Sequence, residues 1–218
     1  SYEYMYYAAR FALIMERYQE AINLFDQLKE QQHEPVASTQ FLYQCYLSVG
    51  DTAAANQVLD WAIAKFPKED WFIQNRINNL VNAGSIDEAL TYLDKAIALE
   101  PQAQYYVSKG SILSMEKKFD EAIAVYNDVL AKYPDNAAAQ YGMGFVYVDK
   151  GNKLNDDATY LSAQEYKKAK VEIDGCYEKA LPYFEKAHEL DPDNDEYVRS
   201  LRSLYYRLQL MDKYNALQ

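Results

Sequence analysis

Glycine and proline are both scarce in this chain, at 7 and 6 of 218 residues. A strand-rich sandwich needs many turns made from those residues, so their shortage argues against one and suits long helices joined by short turns. Cysteine is scarcer. Cys45 and Cys176 stand far apart, in no metal-ligand spacing, and read as two buried free thiols. Only two histidines occur, His33 at a turn and His188 late in a helix, and both read as exposed and solvated. Neither lies near a serine or cysteine in a nucleophile–base motif. There is no glycine-rich phosphate loop and no paired-histidine zinc spacing. No catalytic residue, metal or cofactor is therefore expected.

Long apolar runs are also missing; none approaches the roughly 18 residues that span a bilayer, so no membrane insertion is expected. Basic runs of five or more are absent as well. With 22 basic against 33 acidic residues the net charge is −11. Such a surface repels phosphate backbones and anionic lipid, so no nucleic acid is expected as partner. The opening residues, Ser1 to Met5, read as helix rather than as a secretion leader, as they would where a leader had been removed.

What the chain does have is tyrosine, 22 of them, and a repeat. Tyrosine buries a ring while its hydroxyl finds a partner, which suits helix seams and binding surfaces. Ile86–Pro101, Phe119–Pro134 and Tyr177–Pro192 each run from a large apolar residue through an alanine three positions on to a closing proline. The alanine column is Ala21, Ala55, Ala89, Ala122 and Ala180, at spacings of 34, 34, 33 and 58. Four residues after each alanine come Phe25, Leu59, Leu93, Tyr126 and Phe184; twelve after, Pro67, Pro101, Pro134 and Pro192, with His33 in the first copy. A small residue where two helices cross lets them approach, and a large one a turn away fills the groove beside it. Proline cannot continue a helix and starts the next one well. Gly50 and Gly84 fall where a left-handed cap is expected between paired helices.

These columns resemble the tetratricopeptide-repeat (TPR) family, whose unit is a helix pair of about 34 residues. The resemblance implies an all-α fold, a right-handed superhelical solenoid of helix hairpins. As one domain, its units would be 2–35, 36–69, 70–102, 103–136 and 137–194, with a capping helix at 195–210. The family's usual tryptophan in the first helix is missing throughout, and its glycine there appears only as Gly110 and Gly144. The last interval is 24 residues too long. Within the excess, Tyr166, Ala169, Ile173, Tyr177 and Ala180 keep a helical spacing. That predicts a helical insertion over about 150–173, both helices of the fifth unit being extended to a tip near Asp156–Ser162. Pro182 falls inside the second of them. The acidic run Asp191, Asp193, Asn194, Asp195, Glu196 reads as a turn and helix N-cap rather than a calcium loop. The segment DKGNKLND, the KKAK stretch and the ending LYYRLQLMDKYN further resemble a group of TPR proteins common in Bacteroidetes. That resemblance implies a periplasmic or cell-envelope home, the cytoplasm being the alternative.

In the family, the inner face of each first helix usually binds extended peptides. Carried over position by position, the resemblance implies a groove lined by Tyr6, Arg10, Gln40, Gln44, Trp71, Gln74, Asn75, Asn78, Asn82, Ser111, Tyr141 and Phe145. Leu13, Leu47, Val107, Ser108, Met115, Asp149, Arg199, Tyr206 and Arg207 occupy further positions of the same kind. Side-chain amides both donate and accept, so a ladder of them can pair with any peptide backbone. The lysines of the family's carboxylate-binding variant are missing: the fifth positions hold Tyr6, Gln40, Gln74, Val107 and Tyr141. The leading expectation is a non-catalytic scaffold that binds a protein or peptide. The alternative is a structural assembly protein of a bacterial envelope complex, using the solenoid ends and projecting hairpin and including self-association. A third reading, a glycan-acting enzyme, would need carboxylates in the groove.

Overall fold

The computed structural model describes residues 1–217, and the described residues are all-α, with no strand. Helices follow one another in pairs. α1 (Tyr2–Ile14) pairs with α2 (Tyr18–Glu30), α3 (Pro35–Ser48) with α4 (Thr52–Lys65), and α5 (Asp70–Asn82) with α6 (Ile86–Leu99). α7 (Ala103–Met115) pairs with α8 (Phe119–Lys132) and α9 (Ala137–Asp157) with α10 (Ala163–Leu190); α11 (Asp195–Arg207) and the short α12 (Met211–Ala216) follow. The chain divides into two compact units, Ser1–Tyr92 and the part from Leu93 onward, with the boundary inside α6.

The alanine column explains the pairing. Ala21, Ala55, Ala89, Ala122 and Ala180 are each 0% exposed, and the large residues four positions on are buried beside them. In the first unit Phe25 stacks on Phe41 of α3 at 5.3 Å, so the side chain that fills one hairpin also seals the next. Ala9, Ala12, Leu28, Leu42, Leu59 and Phe72 complete one continuous apolar core there. Asn79 of α5 adds a polar tie: its amide donates to Asn56 Oδ1 at 2.8 Å, while the Tyr43 hydroxyl donates to its oxygen at 3.2 Å.

The second unit uses glycine for the same purpose. A Cβ at Gly110 of α7 would lie 2.5 Å from the Tyr126 ring, and one at Gly142 of α9 equally close to that ring from its own side. Tyr126, reaching up from α8, is therefore seated between two helices that can approach only because both are bare there. Gly144 makes the same room for Phe184 of α10.

α9 and α10 are longer than the other paired helices, at 21 and 28 residues against 13 or 14. They are joined by a 3-10 turn at Ala158–Tyr160. The lengthened pair packs: Ile173 of the added turns is buried together with Tyr177 and Ala180 of the repeat itself, and the Tyr177 hydroxyl donates to Asn152 Oδ1 at 2.8 Å across the pair. α10 starts on a capping box, Ser162 and Glu165 satisfying each other's backbone N–H groups, and runs unbroken through Pro182. Asn194 caps α11 by accepting from the N–H groups of Glu196 and Tyr197.

Two expectations need correction. The closing prolines do not open the next helices. Pro67, Pro101, Pro134 and Pro192 sit in the turns, two or three residues ahead of α5, α7, α9 and α11; Pro35 alone among the described residues takes a first helical position, opening α3. The histidines are not freely solvated either. His33 is half-buried between the rings of Tyr2 and Tyr6, each 6.2 Å away, and His188 is half-buried with its Nδ1 enclosed. Both thiols are free and buried, as read from the sequence.

Candidate ligand-binding clefts

The residues carried over from the repeat register fall into both units, and each unit has its own geometry. In the first, Tyr6 packs edge-on to Phe25 and His33, which leaves it half-buried. Arg10 lies over the rings of Tyr6 and Phe41, at 5.8 and 5.7 Å. Trp71 stands edge-on to Tyr43 of α3 at 5.5 Å and remains exposed on its other side. Gln40, Gln44, Gln74, Asn78 and Asn82 are all accessible at least in part, while Asn75 turns its amide back onto the Trp71 carbonyl at 2.7 Å. Asn79, which the register does not select, proves to be the structural amide of this helix.

In the second unit the register positions converge. Val107, Ser111 and Met115 of α7 and Tyr141, Phe145 and Asp149 of α9 line a single cleft of about 410 Å³, together with Asn194, Glu196 and Tyr197 around the start of α11. That volume is within the roughly 300–1,000 Å³ of small-ligand sites. The spacing is a helix property: residues three and four apart on α7 and α9 share a face, so each helix offers a wall. Met115 is 63% and Phe145 43% exposed, a pair of apolar groups open to a ligand.

The base of the cleft is fixed by hydrogen bonds. The Tyr126 hydroxyl donates to the Val107 carbonyl at 3.2 Å and shares a hydrogen bond with Ser111 Oγ at 3.0 Å. Burial holds this phenol protonated above its ordinary range, and the Ser111 bond works weakly against that. Tyr141 stacks between Phe184 and Tyr197, at 5.2 and 4.7 Å. Its hydroxyl donates to Glu196 Oε1 at 3.1 Å and shares a hydrogen bond with Ser200 Oγ at 3.0 Å. Its pKa too is raised, chiefly by burial. Ser114 donates to Asp149 Oδ2 at 3.3 Å.

A second cleft, of about 310 Å³, adjoins the first and shares Phe145. Val148 and Asn152 of α9, Tyr177 and Phe184 of α10, and Arg199, Ser203 and Arg207 of α11 line it. The Arg207 guanidinium lies 4.3 Å over the Tyr177 ring. Asn152 escaped the register because it belongs to the added turns of α9, for which the register has no position; Tyr177 escaped because the register covers the first helix of each pair and Tyr177 stands on the second. Among the described residues no group of three or more His, Cys, Asp or Glu side chains is placed to hold a metal, and no helix is long and apolar enough to cross a membrane.

Residues 75–137 and 116–155 match the tetratricopeptide-repeat family model. A TPR repeat-containing protein of Methanocaldococcus jannaschii is 34% identical over 64 residues, which are 29% of this chain and 11% of that protein. The matched segment thus spans about a tenth of that relative's length. Among solved structures, human IFIT1 bound to m7Gppp-AAAA superposes with TM-score 0.64 at 15% identity, over 93% of this chain and 45% of its own. MamA from Desulfovibrio magneticus gives 0.52 at 23%, covering 82% of this chain and 86% of its own. YrrB, a TPR protein with an unusual peptide-binding site, gives 0.52 at 20%, covering 88% and 87%. At these identities the likeness carries the fold: the chain is an all-α solenoid of tetratricopeptide repeats. That class of fold is generally a non-catalytic protein-interaction scaffold.

Proposed function

We propose that this chain is a protein-binding scaffold whose ligand, an extended peptide or a segment of a partner, seats in the α7–α9–α11 cleft of the second unit. The observation that carries this reading is the convergence there of six register positions around exposed Met115 and Phe145. The cleft offers apolar anchors and a few fixed hydroxyls, which binds by shape and hydrogen bonding without chemistry. Ordering a flexible peptide costs free energy, so moderate affinity is expected. A displayed library of random peptides selected on the full chain should give binders whose capture is lost in Phe145→Asp. Binders indifferent to that substitution would place the site elsewhere. Replacing Asn75, Asn78 and Asn82 together with alanine tests the amides of the first unit in the same assay.

A second reading, assembly, is favoured by the outer face of α1. Tyr4 and Phe11 are 80% and 57% exposed, with Tyr7 and Ile14 on the same stripe. The repeat spacing of 34 that carries Ala21 to Ala55 carries Tyr4 to Ser38 and Phe11 to Cys45. Those two are fully buried in α3, which packs on α2. The α1 stripe is thus a repeat-stacking face, and in this reading a second copy covers it. Tyr4→Lys with Phe11→Lys should lower the mass seen by light scattering; an equal mass for wild type and variant rejects it. The envelope home implied by the Bacteroidetes resemblance belongs to this reading and is tested by fractionating source cells.

A further inference from the structure

The two adjoining clefts of the second unit carry opposite charge. The first holds Asp149 and Glu196 and no cation; the second holds Arg199 and Arg207 and no carboxylate. That is notable in a chain with net charge −11. Asp195 and Glu196 lie one turn before Arg199, yet no ion pair joins either arginine to a carboxylate among the described residues. Glu196 is engaged instead by the Tyr141 hydroxyl.

Of the groups lining the second cleft, Asn152, Arg199, Ser203 and Arg207 can each donate to a ligand. Arg207 is stacked on Tyr177, which orients its guanidinium while leaving the edge N–H groups free for a ligand. Tyr177 satisfies the oxygen of Asn152, so the two N–H bonds of that amide remain for another acceptor. Ser203 stands between the arginines at i+4 of one and i−4 of the other, all three on one ridge of α11. Arg199 and Arg207 are about 12 Å apart along the axis at ~1.5 Å per residue, the span of three or four extended peptide residues at ~3.3 Å each.

We infer that the second cleft seats a carboxylate of the bound peptide, so that the ligand lies in one direction: an apolar side chain over Phe145, an acidic group toward Arg199 and Arg207. The inference rests on the peptide-binding reading above and adds the polarity of the ligand to it. Guanidinium is the group suited to the task, because its planar fork meets a carboxylate through two parallel hydrogen bonds. Val148 and Phe184 give the site an apolar wall.

The test uses the full chain and the same random peptide library, selected in parallel on wild type, on Arg199→Gln with Arg207→Gln, and on Arg199→Glu with Arg207→Glu. Both arginines are exposed, so the variants should keep the wild-type melting temperature. Wild type should enrich peptides with Asp or Glu at a fixed offset from an aromatic or aliphatic residue. The glutamine variant should lose that enrichment, and the glutamate variant should replace it with Lys or Arg. For one enriched peptide, changing its acid to the amide should weaken binding to wild type about tenfold or more and leave binding to the glutamine variant unchanged. Enriched peptides without acid preference, or a preference that persists in both variants, overturn the carboxylate seat and leave the peptide cleft standing. Failure of wild type to enrich any peptide overturns both.

Discussion

A glycine inside a helix normally weakens it, by up to about 1 kcal/mol against alanine, through the backbone freedom it loses on folding. Gly110 and Gly142 reverse that rule. A methyl group at either would meet the ring of Tyr126 at 2.5 Å, and Tyr126 has no room to yield, being held from both sides and hydrogen-bonded at its tip. Gly110→Ala should therefore cost about 1–3 kcal/mol by overpacking. Gly175 of α10 is the control, because a Cβ there meets nothing within 4 Å. Gly175→Ala should stabilise by about 0.5–1 kcal/mol. Urea denaturation of both variants measures the contrast; equal signs for the two would show that Tyr126 is not wedged. At this scale the sequence was partly legible. The alanines and the large residues beyond them recur because a helix crossing constrains size at a fixed spacing, so their burial could be read in advance. The environment of His33 could not, since it depends on which way the Tyr2 and Tyr6 rings turn from another helix.

Four of the five helix pairs are joined by a tight turn that needs one left-handed residue. Gly50 and Gly84 supply it in two turns, with φ of 77° and 75°. In two others the same task falls to Glu16 and Lys117, with φ of 57° and 61°. A side chain in that region clashes with the following carbonyl, at a cost of about 1–2 kcal/mol. Lys117→Gly should relieve part of it and raise stability by about 1 kcal/mol, while Gly84→Ala should lower it by a similar amount. Thermal melts read both, and a destabilised Lys117→Gly would mean that the Lys117 contact over the Phe119 ring outweighs the strain. The glycine turns were visible in the sequence; the other two were not, because nothing local distinguishes a lysine forced into a left-handed turn from one on a helix face. The clefts were legible by halves for a related reason. Positions on α7 and α9 were implied by the family resemblance, and helix period places each set on one face. In the second cleft Arg199 and Arg207 were among the carried-over positions, but Asn152 on the added turns of α9, and the meeting of α9, α10 and α11 that brings these donors together, are encoded by no single periodicity.

Over the whole molecule, repeat architecture ties each hairpin to its sequence neighbours, so damage should stay near where it is made. Phe25→Ala removes a fully buried ring from the core of the first unit and should cost about 3–5 kcal/mol there. Amide exchange should then accelerate through α1–α4 far more than in α9–α11. Uniform acceleration along the chain would mean that the two compact units open together.

Alkaline pH probes the same fold through its buried acids. Burial pushes the Cys45 thiol from 9.0 to about 11, and it raises the phenols of Tyr126, Tyr177, Tyr197 and Tyr205 above their ordinary 10. Below pH 9 all of these groups are protonated whether the chain is folded or not, so their contribution is complete. Between pH 9 and 11 the unfolded chain releases the Cys45 proton while the folded chain keeps it, and unfolding is favoured step by step. The phenols extend that loss above pH 10, with Tyr205 held protonated longest because burial is reinforced by its bond to Glu185. The urea midpoint should thus be level up to about pH 9 and fall beyond it. Cys45→Ala should flatten the first part of the fall and leave the part above pH 10, since the tyrosines lie elsewhere in the seams. A wild-type midpoint that stays level to pH 11 would mean that these thiol and phenol groups are not held in the dry helix seams that the repeat builds.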